Sequence, residues 1–387
     1  MKVSFSRINQ NRIMPNYAVT PANIQNFKNE YDSFSLSKNF VNKNNVVSFG
    51  ADRHGQERVI KWGILGTGKM ATNITEAMKF AENTKVQAVA SRMPEKSEGF
   101  AQKWDIPSHY GSYEALLKDP KIDVVYIATP AACHYENILQ CLKYGKNVLC
   151  EKPFVLNQAQ AEEVFTLAKK KNLFLMEAYW SQFLPGYNKI KELIDDGAIG
   201  DVVYTEAKFF HRHEPVIPTG RQRNLNLGGG ALLDLGFYPI GLALMVSGFP
   251  TKIDSTMVKG DTGVDLLDTI VLTHENGSRS MLSCAMNSNA PREALIVGTK
   301  GYIKIPAPGL YSPKQLILNT GNKGEETIDV ELKGNGYNYE IEEVNKCLRD
   351  GKIESAIHKS LNTINILKIM DTVRKKGSLV YPQEVQY

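Results

Sequence analysis

Apolar positions along the chain fall into three textures. Residues 1–57 hold isolated apolar side chains such as Phe27, Phe34 and Phe40, with no sustained period of 2 or 3.6, so they cannot build a core. From residue 59, short apolar runs alternate with amphipathic stretches. The run 60–65 enters a glycine-rich turn, a helical pattern covers 71–80, and a second run covers 86–90. Helical patterns near 113–117 and 134–144, with strands at 124–128 and 147–150, continue the alternation. Strands that read as near-continuous apolar runs between helices predict a parallel sheet covered on both faces.

Beyond residue 178 the pattern lengthens. A helix over 184–196 leads into alternating runs at 201–210, 270–273, 280–287, 293–297, 302–305 and 315–319. Turn residues such as Glu275-Asn276-Gly277 and Gly298-Thr299-Lys300-Gly301 punctuate them, which predicts antiparallel pairing. A helical segment over 228–246 interrupts the strands, and helices near 339–349 and 359–374 end the chain. The expected fold class is α/β: a doubly wound parallel sheet, then an α+β domain with a large, open, mainly antiparallel sheet. The expected divisions are a disordered or loosely attached extension (1–57), a nucleotide-binding domain (58–179) and a substrate and dimerisation domain (180–387).

Composition narrows the classes. The 387 residues carry a net charge of +5, but residues 1–57 hold seven Lys/Arg against four Asp/Glu, so +3 sits there and +2 remains on the body. Such a near-neutral body does not read as a nucleic-acid footprint. No apolar run comes near the roughly 18–20 residues of a bilayer span, which points away from a membrane protein. Five cysteines without a CxxC pair argue for a reduced, cytoplasmic setting. The first 57 residues have ten asparagines but no apolar core of the kind a secretory signal carries.

Four features carry chemistry. Gly66-Thr67-Gly68-Lys69-Met70-Ala71 is a GxGxxA turn between a strand and a helix. Gly66 allows the tight turn, Gly68 lets a pyrophosphate approach the backbone, and the helix N-terminus offers free N–H groups. The next strand ends in Ser91-Arg92, where an NAD-binding protein usually has a carboxylate; a hydroxyl and a guanidinium suit the 2′-phosphate of NADP. Glu151-Lys152-Pro153 closes the strand 147–150, so Lys152 faces the cleft at the carboxyl ends of the strands. Finally, the segment Gly228-Gly229-Gly230 leads into a helix that places Asp234 and Tyr238 one turn apart on an otherwise apolar surface. A carboxylate and a phenol side by side serve either a satisfied core or acid–base work on a hydroxyl. His211 and His213 have no companion ligands at metal-binding spacing, so no metal is expected.

Together these residues resemble the Gfo/Idh/MocA oxidoreductase family, which includes glucose-fructose oxidoreductase, inositol dehydrogenase and dimeric dihydrodiol dehydrogenase. The resemblance spans about 59–383. It rests on Ile64-Leu65-Gly66-Thr67-Gly68, Ala128-Thr129-Pro130 with His134, Glu151-Lys152-Pro153 and the 228–239 segment. The stretch 176–185, with Trp180, points to the dihydrodiol dehydrogenase-like branch. The resemblance implies a Rossmann domain, a second domain whose open sheet mediates a homodimer or higher homo-oligomer, and hydride transfer between NAD(P) and a secondary alcohol or carbonyl of a sugar, polyol or dihydrodiol. It makes Lys152, Tyr238 and Asp234 the catalytic residues and Trp180 a substrate-pocket aromatic. The cofactor contacts it implies come from Gly66 to Met70, Ser91, Arg92, Thr129, Pro130, His134, Glu151 and Lys152. Gln182 replaces an arginine common in that branch, and Tyr311 replaces a tryptophan, so the pocket is expected to be less aromatic and to suit a polyol.

The resulting expectation is an NADP-dependent oxidoreductase on a polyhydroxylated small molecule. Lys152 should lower the Tyr238 pKa and Asp234 should orient the pair. The rivals are a non-catalytic NADP-binding sensor on the same fold and an NAD-preferring sugar dehydrogenase.

Overall fold

Alternate residues of the first strands go to opposite faces of one sheet, and that alternation organises the nucleotide half. The computed structural model describes residues 58–384 except 215, 218 and 322; the extension expected over 1–57 lies outside them. In order come β1 (Ile60–Leu65), α1 (Lys69–Ala77), β2 (Thr84–Ala90), α2 (Pro94–Trp104), β3 (Ser108–Tyr110), α3 (Tyr113–Leu117), β4 (Val124–Ile127), α4 (His134–Lys143), β5 (Asn147–Glu151), α5 (Gln158–Lys171) and β6 (Leu175–Ala178). The strands lie in the order β3-β2-β1-β4-β5-β6, all parallel. Trp62, Ile64, Val124, Tyr126 and Leu149 pack on one face with Ala71, Ile74 and Phe100 from α1 and α2. Leu65, Val125, Ile127, Val148 and Cys150 pack on the other with Ile138, Leu142 and Val164 from α4 and α5. Both faces are therefore dry, as the continuous apolar strands predict.

The second half contains α6 (Pro185–Asp195), β7 (Val202–Phe210), α7 (Phe237–Ser247), β8 (Pro250–Lys259), β9 (Asp265–His274), β10 (Arg279–Ala285), β11 (Glu293–Gly298), β12 (Tyr302–Ile305), β13 (Gln315–Asn319) and β14 (Glu325–Asp329). The chain closes with α8 (Asn338–Arg349) and α9 (Ser360–Lys376). Its eight strands run β14-β13-β12-β11-β7-β10-β9-β8. Neighbours are antiparallel except β7 and β10, which pair in parallel. β7 thus enters the middle of the sheet rather than its edge, because its Thr205, Ala207 and Phe209 are buried beneath the helices while Tyr204, Glu206 and Lys208 stay on the outer face.

Three findings modify the sequence expectations. β8 and β14 are too polar to register as strands, being outermost and largely exposed along their length. α8 returns to the first sheet: Ile341, Val344 and Leu348 pack with Trp62, whose indole donates to Asn345 Oδ1 at 3.1 Å. And one helical run, Leu225–Ser247, is long and apolar enough by length and composition to cross a membrane, contrary to the expectation that no run comes close. It is 83% buried inside the protein, the state of a core helix.

Candidate active site

The carboxyl ends of β1, β2, β4 and β5 lie side by side, since Leu65 pairs with both Ala90 and Ile127, and Ile127 with Cys150. Every sequence-predicted cofactor residue leaves the sheet at this edge. Gly66 adopts φ +100°, and a Cβ there would stand 2.9 Å from the Ala128 carbonyl, so only glycine makes this turn unstrained. At Gly68, which caps α1, a Cβ would meet nothing within 4 Å, and no side chain caps the helix. That leaves an open approach to free N–H groups, the cradle a pyrophosphate requires. Lys69 is exposed beside it, with Thr67 and Met70 half-buried. At the end of β2, Ser91 Oγ accepts from the Met93 N–H at 3.1 Å and Arg92 projects outward. No carboxylate stands at that strand end, which fits a 2′-phosphate.

Thr129 donates its hydroxyl to Asn137 Oδ1 at 2.8 Å, and Pro130 begins the turn into α4. His134 is buried, with Nδ1 2.9 Å from the Pro153 carbonyl and Nε2 2.8 Å from that of Thr129. Burial lowers its pKa while the two carbonyls oppose that shift. The imidazole thus staples the β4 loop to the loop carrying Lys152.

Glu151 is buried at the end of β5. Tyr126 donates to its Oε1, and the Lys152 N–H reaches Oε2 at 3.2 Å. Burial raises its pKa to about 7, against the lowering effects of Tyr126 and Lys152. Beyond it, Glu340 of α8 is fully buried with no hydrogen-bond partner on either oxygen among the described residues, and burial plus the nearby Glu151 push its pKa well up.

Lys152 points the other way. Its Nζ donates to the Asp234 carbonyl at 2.7 Å and lies 3.3 Å from Asp234 Oδ1. Arg221 NH2 is 3.4 Å from the same oxygen, and His213 Nε2 is 3.5 Å from Oδ2. Burial alone would raise the Asp234 pKa; Lys152, Arg221 and His213 outweigh it and hold the group well below its ordinary value. Asp234 and Tyr238 belong to one helical run, π-wound over Leu232–Gly236, that Asp265 caps by accepting the Leu232 N–H at 2.5 Å. Gly230 precedes it at φ +132°, where a Cβ would sit 2.0 Å from Asp265 Oδ1.

One expectation is corrected here. The Tyr238 pKa is raised by burial rather than lowered by Lys152, whose Nζ, held at Asp234, lies 5.0 Å from the ring centre. The hydroxyl accepts from Trp180 Nε1 at 3.3 Å. The phenol is therefore kept in its protonated form at neutral pH.

Trp180 stacks on Tyr337 at 4.2 Å, while Phe209 stacks on Tyr311 at 5.3 Å, and Tyr238 lies 5.4 Å from Phe209 and 5.7 Å from Tyr311. The wall beside the phenol is thus strongly aromatic despite Tyr311 standing where a tryptophan was expected. Phe209, Tyr337, Arg221 and Glu340 escaped the sequence reading because they come from distant segments with no motif of their own.

Residues 60–179 match the family described as Gfo/Idh/MocA oxidoreductases with an NAD-binding Rossmann fold, and residues 187–304 match the family's C-terminal domain. The chain belongs to the Gfo/Idh/MocA oxidoreductases. Among family members, the trans-1,2-dihydrobenzene-1,2-diol dehydrogenase of Xenopus laevis is 40% identical over 336 residues, covering 83% of this chain and 99% of that protein. The Danio rerio enzyme of the same name is 37% identical, covering 84% and 99%. In structure, the aldose-aldose oxidoreductase of Caulobacter crescentus, complexed with glycerol, superposes with a TM-score of 0.76 at 23% identity, covering 83% of this chain and 98% of that one. A 3-ketoreductase from Actinomadura kijaniata, in complex with NADP and TDP-benzene, gives 0.74 at 24% identity, with 82% and 98% covered. As a Gfo/Idh/MocA member this chain is an oxidoreductase built on a nucleotide-binding Rossmann fold.

Proposed function

We propose that this oxidoreductase moves hydride between NADP(H) and the secondary alcohol or carbonyl carbon of a sugar, polyol or dihydrodiol. One observation carries the reading: Lys152, from the end of the parallel sheet, meets Asp234, 82 residues later, one helical turn from a buried phenol. A bound nicotinamide supplies or takes the hydride. The Tyr238 hydroxyl, kept protonated by burial, gives its proton to the carbinol oxygen during reduction and recovers it in the reverse direction. The Lys152 ammonium stabilises negative charge developing on that oxygen. Asp234, kept anionic, holds the ammonium in place and accepts from a neighbouring substrate hydroxyl. Trp180 orients the phenol through its indole N–H.

Gly66, Thr67, Gly68, Lys69 and Met70 are assigned to the pyrophosphate, Ser91 and Arg92 to the 2′-phosphate, and Thr129, Pro130, His134, Glu151 and Lys152 to the nicotinamide end. Ser91 and Arg92 favour NADP over NAD, since a carboxylate would repel the extra phosphate. The limits 58–179 for the cofactor domain and 180–387 for the substrate domain belong to the same proposal. So does a homodimer through the outer face of the eight-stranded sheet, where Val271, Met281, Glu206 and Leu295 form one row across β9, β10, β7 and β11. Five free thiols favour a reducing, cytoplasmic setting.

Fluorescence titration with NADPH and NADH, followed by a screen of aldoses, polyols, inositols and dihydrodiols at 340 nm, tests the reading. Tight NADPH binding with turnover of a panel member is the expected result. Binding without any turnover would move the protein to the sensor class, which needs neither Lys152 nor Tyr238.

A further inference from the structure

The aromatic wall beside Tyr238 ends in a cation that no described carboxylate neutralises. Arg292 is half-buried at the start of β11, with its guanidinium 5.7 Å from the Phe209 ring centre and 5.6 Å from that of Tyr311. Among the described residues it forms no ion pair; the adjacent Glu293 is taken by Lys208 at 2.9 Å. Phe209 and Tyr311 also contact Tyr238, so Arg292 stands one ring beyond the proposed reacting hydroxyl. The pKa of His211 is lowered by burial and by the charges of His213 and Arg292.

The charge balance of this mouth is lopsided. Lys152 and Arg221 share the single carboxylate of Asp234, and Arg292 adds a third permanent cation. Glu293 is paired with Lys208, and Glu151 and Glu340 are pushed toward their neutral forms. A guanidinium packed on two aromatic faces keeps its charge while its planar fork remains available for a carboxylate or phosphate.

We propose that Arg292 receives an anionic group of the substrate, so that the site prefers an acidic polyol to its neutral counterpart. The inference rests on the proposed oxidoreductase reading and names the substrate class within it. Acid and phosphate share the recognising chemistry, and the assay separates them.

The test compares kcat/KM for D-glucose, D-glucuronate and D-glucose 6-phosphate with NADP, each also tried as a competitive inhibitor of the best neutral panel substrate. The wild type should favour one anionic sugar by about 10- to 100-fold, the scale of a charge-assisted hydrogen bond. Which sugar wins identifies the anion. Arg292→Gln should remove most of that preference and Arg292→Lys should restore part of it. Equal use of neutral and anionic sugars by the wild type overturns the inference while leaving the proposed function standing. A preference that survives in Arg292→Gln overturns it too, as does a variant whose only defect is weaker NADPH binding by fluorescence. Tight NADPH binding with neither turnover nor inhibition by any compound overturns both readings.

Discussion

Two buried carboxyl neighbourhoods flank Lys152 and behave in opposite ways. On the cleft side, Asp234 is surrounded by Lys152, Arg221 and His213 and stays ionised. On the α8 side, Glu151 has a phenol and a backbone N–H as donors, Glu340 has no hydrogen-bond partner among the described residues, and both are pushed toward protonation. Burial penalises charge in both places. The partners decide whether the charge survives. The cleft side of the lysine loop therefore keeps a buried anion, and the α8 side is pushed toward neutral carboxyls.

The sharpest way to break this comparison is to remove the ammonium between the two. Lys152→Ala should lose turnover at least about 100-fold while NADPH still binds, as read by steady-state kinetics beside fluorescence titration. Near wild-type turnover would end the assignment of chemistry to the cleft side. Tyr238→Phe should fall by a similar factor in kcat and keep its fold by circular dichroism, since it removes only the proton donor. Asp234→Asn comes next. It leaves Lys152 and Arg221 without their shared anion, and kcat/KM should drop about 10- to 100-fold with the larger part in kcat. An effect confined to KM would show that Asp234 binds substrate without ordering the lysine.

The Glu151 side predicts a pH dependence of stability. Its pKa is raised from 4.5 to about 7 on folding. The folded state therefore holds more protons between those values, and stability from this group is full below pH 4.5 and lost as pH rises through 7. The amount is on the order of 3 kcal/mol from a shift of that size. Denaturant unfolding of Glu151→Gln should show a shallower fall in stability across pH 5–7, and an unchanged slope would mean that Glu151 stays ionised. The smallest effect belongs to Glu340→Gln, which replaces a group that burial pushes toward its neutral form and that has no hydrogen-bond partner among the described residues; it should shift unfolding at pH 7 by less than about 1 kcal/mol. A large loss there would reveal a hidden cation or partner and erase the contrast.

The two regions also differ in how far they can be read from the chain. Gly66, Gly68, Ser91 and Lys152 all leave strands at one sheet edge, and a βαβ pattern with period-coded strands places such residues without any coordinates. The polar strands β8 and β14 were missed because their side chains face water on most positions and leave no alternation. Helices α2 and α5 were missed because few of their residues are apolar: α2 buries Ser97, Phe100 and Ala101, and α5 buries Gln160, Ala161, Val164 and Ala168. The Tyr238 pKa was misjudged for a different reason. A helix places Asp234 and Tyr238 on one face, but which of them captures an incoming ammonium depends on distances of a few ångströms set by the whole packing.

The amino-acid sequence by itself determined the parallel sheet, its glycine-rich turn and the presence of a lysine, a carboxylate and a phenol, because hydrophobic period and turn chemistry are local properties. The tertiary structure alone decided that β7 enters the second sheet in parallel, that Phe209, Tyr311, Tyr337 and Trp180 wall the phenol, and that Arg292 lies at their rim. Those contacts join segments tens to more than a hundred residues apart. Only the closing of the fold, which no local pattern encodes, fixes their distances and hence which buried groups keep their charge.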